Sequence, residues 1–252
     1  MNFYTNITRW GNHLLLREVV NGERINQRIK YSPTLYCLVN KPTEYKTLDG
    51  KYVTPVKHDT MKEANEWIDN YQSDLVFGSN TYQYNYLADQ YPNRVEWDME
   101  KLLIVTIDIE VQCENGFPDP EKALEELLSI TIKNHQTKEI VVWGIGDFKS
   151  NRDDVHYVSC ENELHLIKEF LVFWERNHPD VITGWNTEFF DIPYLCNRIK
   201  RQCGEDEIKR LSPWRSVSSR TIFKMGRNHQ LYDIQGVGHL DYFDLYRKFT
   251  YT

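Results

Sequence analysis

The chain has 252 residues, 40% of them apolar, and a formal net charge of −7 at pH 7. This length can hold one large or two ordinary globular domains, and the apolar runs are too short for membrane spans. The negative total charge gives no sign of a nucleic-acid-binding protein, so any contact with nucleic acid must depend on local basic patches.

The first 98 residues predict a β-rich domain. Apolar and polar side chains alternate over residues 1–40, and Asn21-Gly22 lies between two such runs, which indicates a hairpin turn. Residues 36–39 predict a further strand. Residues 59–71 change to helical spacing, with Asp59 or Thr60 as the N-cap.

A group of tyrosines after this helix has two interpretations. They are either core and surface residues of a β-rich domain or a stacking platform for single-stranded nucleic acid. The group comprises Tyr82, Tyr84, Tyr86 and Tyr91. A domain boundary is predicted at Tyr91-Pro92-Asn93, which gives a first domain over residues 1–98 and a second over residues 99–252.

The second domain begins with an apolar run that ends in two acids. Residues 102–110 are rich in β-branched side chains and predict a buried central strand. Asp108 and Glu110 are two positions apart, so both leave the same face of the sheet. They repel each other unless a cation lies between them, and hard divalent ions such as Mg²⁺ bind carboxylate oxygens. The alternative is a strand end with two solvated acids.

A loop must follow this strand, because residues 114–120 contain one glycine and two prolines. Phe117 in this loop is expected to be an exposed or half-exposed aromatic side chain close to the two acids. It either packs under its own loop or stacks on a base of an incoming strand.

The next elements alternate between strand and helix. Residues 127–133 and 140–145 predict two strands, so the sheet begins antiparallel. Residues 161–177 predict an amphipathic helix with Leu164, Ile167, Leu171 and Trp174 on its apolar face. A short strand over residues 180–184 and a helix over residues 191–201 follow. Asp191 therefore brings a third carboxylate to the start of a helix.

The segment from Arg198 to Arg227 contains nine lysines and arginines and only three acids. This basic patch is either a solvated face or a set of phosphate contacts, which would be sensitive to salt. Within it, residues 221–234 predict a β-hairpin with a basic tip. Residues 240–246 then predict a final strand that turns into a helix.

The order of these motifs resembles family B DNA polymerases of the T-even bacteriophage type. Asp-x-Glu at 108–110 and Asn-x-x-x-Phe-Asp at 186–191 resemble the first two exonuclease motifs. Further similar segments are Gly116-Phe117-Pro118, Thr183-Gly184-Trp185-Asn186, Phe190-Asp191-Ile192-Pro193-Tyr194, Asn197-Arg198-Ile199 and Arg210-Leu211-Ser212-Pro213. The resemblance implies a mixed α+β or α/β fold: a β-rich N-terminal domain, then a ribonuclease-H-like exonuclease domain whose mixed sheet is flanked by helices.

The resemblance also implies a chemistry. A DNA polymerase with 3′–5′ exonuclease would hydrolyse the 3′ end of DNA by two-metal catalysis, with two Mg²⁺ or Mn²⁺ ions about 4 Å apart. Asp108, Glu110 and Asp191 would be the catalytic residues and metal ligands. Together with the basic patch, the resemblance gives these nucleic-acid-binding residues: Phe117, Asn186, Phe190, Arg215, Arg220 and Arg227.

One motif of the family has no counterpart. The third exonuclease motif, Tyr-x-x-x-Asp, is not found in residues 240–252, and no polymerase palm, fingers or thumb follows. We therefore expect an exonuclease domain that is incomplete at its C-terminal end and weak or inactive by itself, unless Asp241 or Asp244 replaces the missing ligand. The alternatives are a non-catalytic module that binds single-stranded DNA and a subunit that completes a polymerase supplied by another chain.

Partners and compartment follow from the same considerations. The expected partners are a single-stranded 3′ end, primer–template DNA and the remaining polymerase domains, and no membrane. The five cysteines include no CxxC pair, and their odd number without a signal peptide favours a reducing compartment. This is the cytoplasm, and for a phage-encoded protein the cytoplasm of the bacterial host.

Overall fold

A computed structural model describes residues 2–71, 75–114, 116–224 and 226–250. The chain forms two compact units, Met1–Trp97 and Asp98–Thr252. None of the helices in the described ranges is long and apolar enough to cross a membrane.

The described residues of the first unit form two small antiparallel sheets and two α-helices. Its strands are β1 (Asn2–Trp10), β2 (His13–Val20), β3 (Glu23–Lys30), β4 (Thr34–Leu38), β5 (Tyr45–Lys46), β6 (Tyr52–Lys57) and β7 (Val76–Phe77). Strands β1-β2-β3 form one sheet, and β5-β6-β4-β7 form the other. The predicted hairpin turn joins β2 to β3, and both Asn21 and Gly22 have positive φ.

Helix α1 (Met61–Asn70) confirms the predicted helix, and the Thr60 hydroxyl accepts a hydrogen bond from the Glu63 amide. Helix α2 (Tyr82–Gln90) is not predicted by the sequence analysis. The Tyr82 ring is fully buried, and its hydroxyl donates to Asn65. The Tyr91 hydroxyl donates to Glu18. These contacts favour the structural interpretation of the tyrosine group.

The second unit is built on a six-stranded mixed sheet. The strands of the unit, six in this sheet and two in a separate hairpin, are β8 (Ile104–Val111), β9 (Leu127–Asn134), β10 (Ile140–Ile145), β11 (Val155–Cys160), β12 (Val181–Gly184), β13 (Val217–Lys224), β14 (Arg227–Ile234) and β15 (Gly238–Asp241). The sheet order is β11-β10-β9-β8-β12-β15, and β13 and β14 form a separate hairpin. Strands β8, β9 and β10 are antiparallel as predicted, whereas β12 runs parallel to β8 and β15 parallel to β12. Strand β11 is not predicted.

Three helices accompany this sheet: α3 (Glu163–Arg176), α4 (Asp191–Cys203) and α5 (Tyr242–Thr250). Asn162 caps α3 by accepting a hydrogen bond from the His165 amide. One predicted core residue of α3 is wrong: Leu164 is exposed, and Leu166 and Phe170 are fully buried instead. The apolar stripe that faces the sheet is therefore rotated from the predicted one.

The sheet topology brings three strand ends together. Strands β8, β12 and β15 are parallel neighbours, and Gly184 at the end of β12 pairs with Asp241 at the end of β15. Asp108 lies near the carboxyl end of β8. In open sheets, ligands bind in the crevice outside the carboxyl ends of parallel strands. The fold thus places the sequence motifs around one edge of the sheet.

Candidate active site

Asp108 lies on an exposed position of β8 between the buried side chains of Ile107 and Ile109. It lines a cleft of about 970 Å³ in the second unit. Partial burial raises the pKa of Asp108 above its usual value. Glu110, two positions further along β8, is also exposed, which is consistent with the predicted shared face. It is not among the described residues that line the cleft.

Asp191 is the first residue of α4 and is only 4% exposed. Its Oδ1 accepts a hydrogen bond of 3.1 Å from the Ile109 amide, which joins the start of α4 to β8 next to Asp108. Burial raises the pKa of Asp191 to about 7, and the negative charge of Asp108 contributes to this increase. The two carboxylates, which both line the cleft, therefore interact with each other.

This pair of acids fits a hard divalent cation. A buried carboxylate whose pKa is raised by a second carboxylate is stabilised when a cation lies between them. In the parts of the chain that the structure describes, no three His, Cys, Asp or Glu side chains converge closely enough to hold a metal ion. Asp108 and Asp191 are therefore two carboxylates that could hold a cation, and Glu110 does not form a three-carboxylate cluster with them in this arrangement.

The segment between β12 and α4 is a tight turn. A Cβ atom on Gly184 would lie 2.8 Å from the Ile107 carbonyl oxygen, so only glycine fits beside β8. Asn186, which lines the cleft, has a φ of 62°, a left-handed conformation that asparagine tolerates better than most residues. The turn directs the backbone from the sheet into α4 within a few residues.

Asp241 holds this turn in place. Its carboxylate accepts hydrogen bonds from the backbone amides of Asn186 (2.9 Å), Glu188 (2.8 Å) and Phe243 (2.8 Å), and its side chain is buried. Both oxygens accept these bonds, which favours a positioning role over that of a replacement metal ligand. Asp244, the other suggested replacement, forms an ion pair of 2.9 Å with Lys224. In the sequence, Asp241 can be recognised only as an acid at the end of the final predicted strand.

We expect Asp241→Asn to weaken the turn that carries Asn186. The new amide NH₂ would face one of three backbone N–H donors, and a buried unpaired donor costs about 1–3 kcal/mol. Amide hydrogen exchange should become faster at Asn186 and Glu188. Asp180→Asn is the matched control, because Asp180 is also buried and accepts from the Leu103 amide, at the opposite end of β12. Equal exchange at both amides in the two variants would contradict the role of Asp241.

Two aromatic rings meet at the cleft. Phe117 is 80% exposed, and its ring lies 4.9 Å from the Phe190 ring, with 48° between the ring planes. Both side chains line the cleft. This exposure disfavours the alternative in which Phe117 packs under its own loop. The pair offers an apolar surface on which an unpaired base could stack.

The basic patch is not one continuous surface. Arg227 lines the cleft with Asn228 and His229 at the tip of the β13–β14 hairpin. Arg215 forms an ion pair of 2.8 Å with Glu175, and Arg220 one of 3.1 Å with Asp233; neither arginine lines this cleft. Most of the other cations of the patch are also paired with acids. The DNA contacts of all three arginines stay predictions, and the geometry favours Arg227.

Comparison with known proteins gives one consistent relationship. The model of the family described as DNA polymerase family B, exonuclease domain, matches residues 67–252. The DNA-directed DNA polymerase of Enterobacteria phage T4 is 32% identical and that of Escherichia phage RB69 31% identical, each across 99% of this chain and 31% of the relative. The DNA polymerase delta catalytic subunit of Dictyostelium discoideum is 35% identical over 39% of this chain and 9% of its own.

The chain thus spans about a third of the length of the phage relatives that it matches along almost its whole sequence. The matched region includes the strand of Asp108, the turn of Asn186 and the helix that begins at Asp191. Both the predicted family and the predicted fold are confirmed. The chain belongs to DNA polymerase family B, and residues 67–252 match the exonuclease domain of that family.

Proposed function

We propose that this chain is the N-terminal and exonuclease part of a DNA-directed DNA polymerase and that it removes nucleotides from the 3′ end of a DNA strand. One observation carries the proposal: Asp108 and Asp191 interact in a cleft that is also lined by the exposed Phe117 ring and the half-buried Phe190 ring. The proposed domains are residues 1–98 and 99–252. The proposed partners are DNA and the remaining polymerase domains, in the cytoplasm of a bacterial host.

Exonuclease domains of this family are in general metal-dependent nucleases. Asp108 and Asp191 would hold Mg²⁺ or Mn²⁺. Glu110 is exposed on the same face of β8 but does not converge with them in this structure, and we propose that it joins them as a third ligand in a complete site with two ions. When bound, such ions supply a hydroxide near neutral pH and stabilise the leaving 3′ oxygen. Asp191 must be ionised to bind a cation, and its pKa of about 7 makes this step sensitive to pH near neutrality.

The other cleft residues would position the strand. Phe117 and Phe190 would stack on the bases of an unpaired 3′ end, which every base permits because each has an aromatic face. Asn186 would orient the terminal nucleotide through its side-chain amide. Arg227, exposed at the hairpin tip, would contact phosphate. These contacts bring the terminal phosphodiester next to Asp108 and Asp191.

The test is metal binding followed by digestion. Titration of the purified 252-residue chain with Mn²⁺, followed by electron paramagnetic resonance, should show binding that Asp108→Asn weakens at least about tenfold, because one of two close carboxylates is lost. A 5′-labelled single strand should then shorten slowly from its 3′ end. Mn²⁺ should support faster digestion than Mg²⁺, which demands near-ideal geometry.

Asp119→Asn is the matched control for charge in the same cleft. Asp119 lines the cleft, but the Glu121 backbone amide, which donates to its carboxylate at 2.9 Å, and Lys122, 3.3 Å away, keep its pKa low. The substitution should therefore leave Mn²⁺ binding and digestion nearly unchanged. Single-strand binding without Mn²⁺ binding or Asp108-dependent digestion would contradict the nuclease proposal and support a non-catalytic binding module.

A further inference from the structure

Helix α4 holds the loop that carries Phe117. Successive carbonyl groups of this loop accept hydrogen bonds from side chains on one face of the helix. The pairs are Tyr194 Oη with Glu125 O (2.7 Å), Asn197 Nδ2 with Pro120 O (2.9 Å), Arg198 Nη1 with Leu124 O (2.8 Å) and Arg201 Nη2 with Lys122 O (3.0 Å). The loop between β8 and β9 is thus fixed to the helix that begins at Asp191.

Asn197 differs from the other three residues because it also reaches the hairpin. Its Nδ2 donates to the Gln230 Oε1 on β14 at 3.3 Å, and its Oδ1 accepts from the Tyr232 hydroxyl at 2.5 Å. The Pro120 carbonyl can only accept, which fixes the orientation of the Asn197 amide. A second hydrogen bond joins the loop to the hairpin: the Gln230 backbone N–H donates to Glu121 Oε1 at 3.2 Å.

These bonds connect two segments of the chain that both line the cleft. Pro118, Asp119, Pro120 and Glu121 form the loop wall, and Arg227, Asn228 and His229 form the hairpin wall. Phe117 lies on the first wall and Arg227 on the second. The distance between a stacking surface and a cationic side chain decides whether one strand can contact both of them at once.

We propose that Asn197 is a positioning residue that fixes the spacing of the loop wall and the hairpin wall, and thereby selects an unpaired strand over a duplex. The proposal rests on the proposed function and adds a residue that determines substrate form. A strand that enters the cleft contacts Phe117 and Arg227 without first ordering the loop, so the ordering entropy does not reduce its affinity. A duplex cannot offer an unpaired base to Phe117, so its affinity does not depend on this spacing.

Asn197→Asp tests the proposal with little change in shape. The carboxylate still accepts from Tyr232, but it cannot donate to Pro120 or Gln230. We expect about tenfold weaker binding of a single strand that carries 2-aminopurine near its 3′ end, because both hydrogen bonds that Asn197 donates are lost. The fluorescence change that reports stacking should shrink in parallel. Duplex affinity should stay within about twofold of the wild type, because a duplex offers no unpaired base to Phe117.

Tyr232→Phe is the matched control, because it removes the hydrogen bond to the other end of the same amide and leaves both donated bonds in place. It should change the single-strand affinity by less than about twofold. The measurements use Ca²⁺, which carboxylates bind readily. An unchanged ratio of single-strand to duplex affinity in Asn197→Asp would overturn the proposal, as would an equal loss in Tyr232→Phe.

Amide hydrogen exchange separates this inference from the proposed function. Without DNA, the backbone amides of Asp119, of residues 121–126 and of Gln230 should exchange faster in Asn197→Asp than in the wild type or in Tyr232→Phe. If the wild type binds no single strand, the proposed function fails, and the exchange data still report whether Asn197 joins the two walls. If the wild type binds but exchange is unaffected, the positioning role of Asn197 is wrong.

Discussion

Asp191→Asn is expected to make the metal-free chain more stable at pH 8, and the gain should shrink as the pH falls. Burial and the charge of Asp108 raise the pKa of Asp191 from 3.8 to about 7. The folded chain therefore binds a proton more tightly than the unfolded chain does. Above pH 7 the folded state must hold an ionised carboxylate in a buried position, which lowers the free energy of unfolding.

The sign follows from proton linkage. Between about pH 4 and pH 7 the folded state carries more protons at Asp191 than the unfolded state, so the free energy of unfolding decreases as the pH rises. The full effect is on the order of 4 kcal/mol, and roughly 2–3 kcal/mol of it falls between pH 5 and pH 8. Asparagine has no such titration, and its carbonyl oxygen can still accept from the Ile109 amide.

Urea unfolding at pH 5 and pH 8 with a chelator measures the difference. The advantage of Asp191→Asn over the wild type should be larger at pH 8. Asp119→Asn serves as the control, because the pKa of Asp119 is lowered and the pH trend should not show the same sign. An Asp191→Asn variant that is less stable than the wild type at pH 8 would contradict the raised pKa. Added Mn²⁺ should stabilise the wild type and not this variant.

Local patterns predict most of the second unit because its strands and helices bury continuous apolar faces. Strands β8, β9 and β10 and helix α4 agree with their spacing in the sequence. Helix α3 lies where the sequence predicts it, but Leu164, which the spacing places in its core, is exposed. The apolar residues of that helix extend around much of its circumference, so packing against the sheet decides which stripe is buried. Strand β11 is absent from the sequence prediction and is identified by its parallel pairing with β10.

Some of the proposed site residues are also predictable from the sequence, whereas others are not. Asp108, Asn186, Phe190 and Asp191 belong to short motifs next to strand ends, and the parallel pairing of β8 with β12 brings them together. The residues next to an arginine in the sequence do not show whether it forms an ion pair. Arg215 meets Glu175 of helix α3, 40 positions earlier. Charge counts over a segment therefore overestimate the surface that is available to phosphate.

Asn197 and Arg198 show a further limit of sequence motifs. Their segment resembles the family, yet the motif alone gives no reason for the residue types. The reason appears only when the loop before β9 and the hairpin strand β14 are placed against α4. Side chains that hold a loop through backbone carbonyls leave no pattern in the loop sequence, because every residue has a carbonyl group.

Arg198 and Glu163 form a buried ion pair behind the loop wall. Each residue is only 5% exposed. Arg198 Nε lies 2.5 Å from Glu163 Oε1, and Nη2 lies 2.6 Å from Oε2, in a two-pronged arrangement. Glu163 Oε1 also accepts from the Leu127 amide at 2.8 Å, and Arg198 Nη1 donates to the loop carbonyls of Ala123 and Leu124. The pair thus connects α3, α4 and the start of β9.

Arg198→Met is expected to destabilise the fold by about 3–5 kcal/mol, because it leaves the Glu163 carboxylate buried without its cation. The double variant Arg198→Met with Glu163→Leu removes both charges and should lose much less than the two single losses added together. Urea unfolding of the four proteins gives the coupling energy. Arg152→Met removes a similarly two-pronged but exposed pair with Asp154 and should change stability little. Additive losses in the cycle would show that the two side chains act independently.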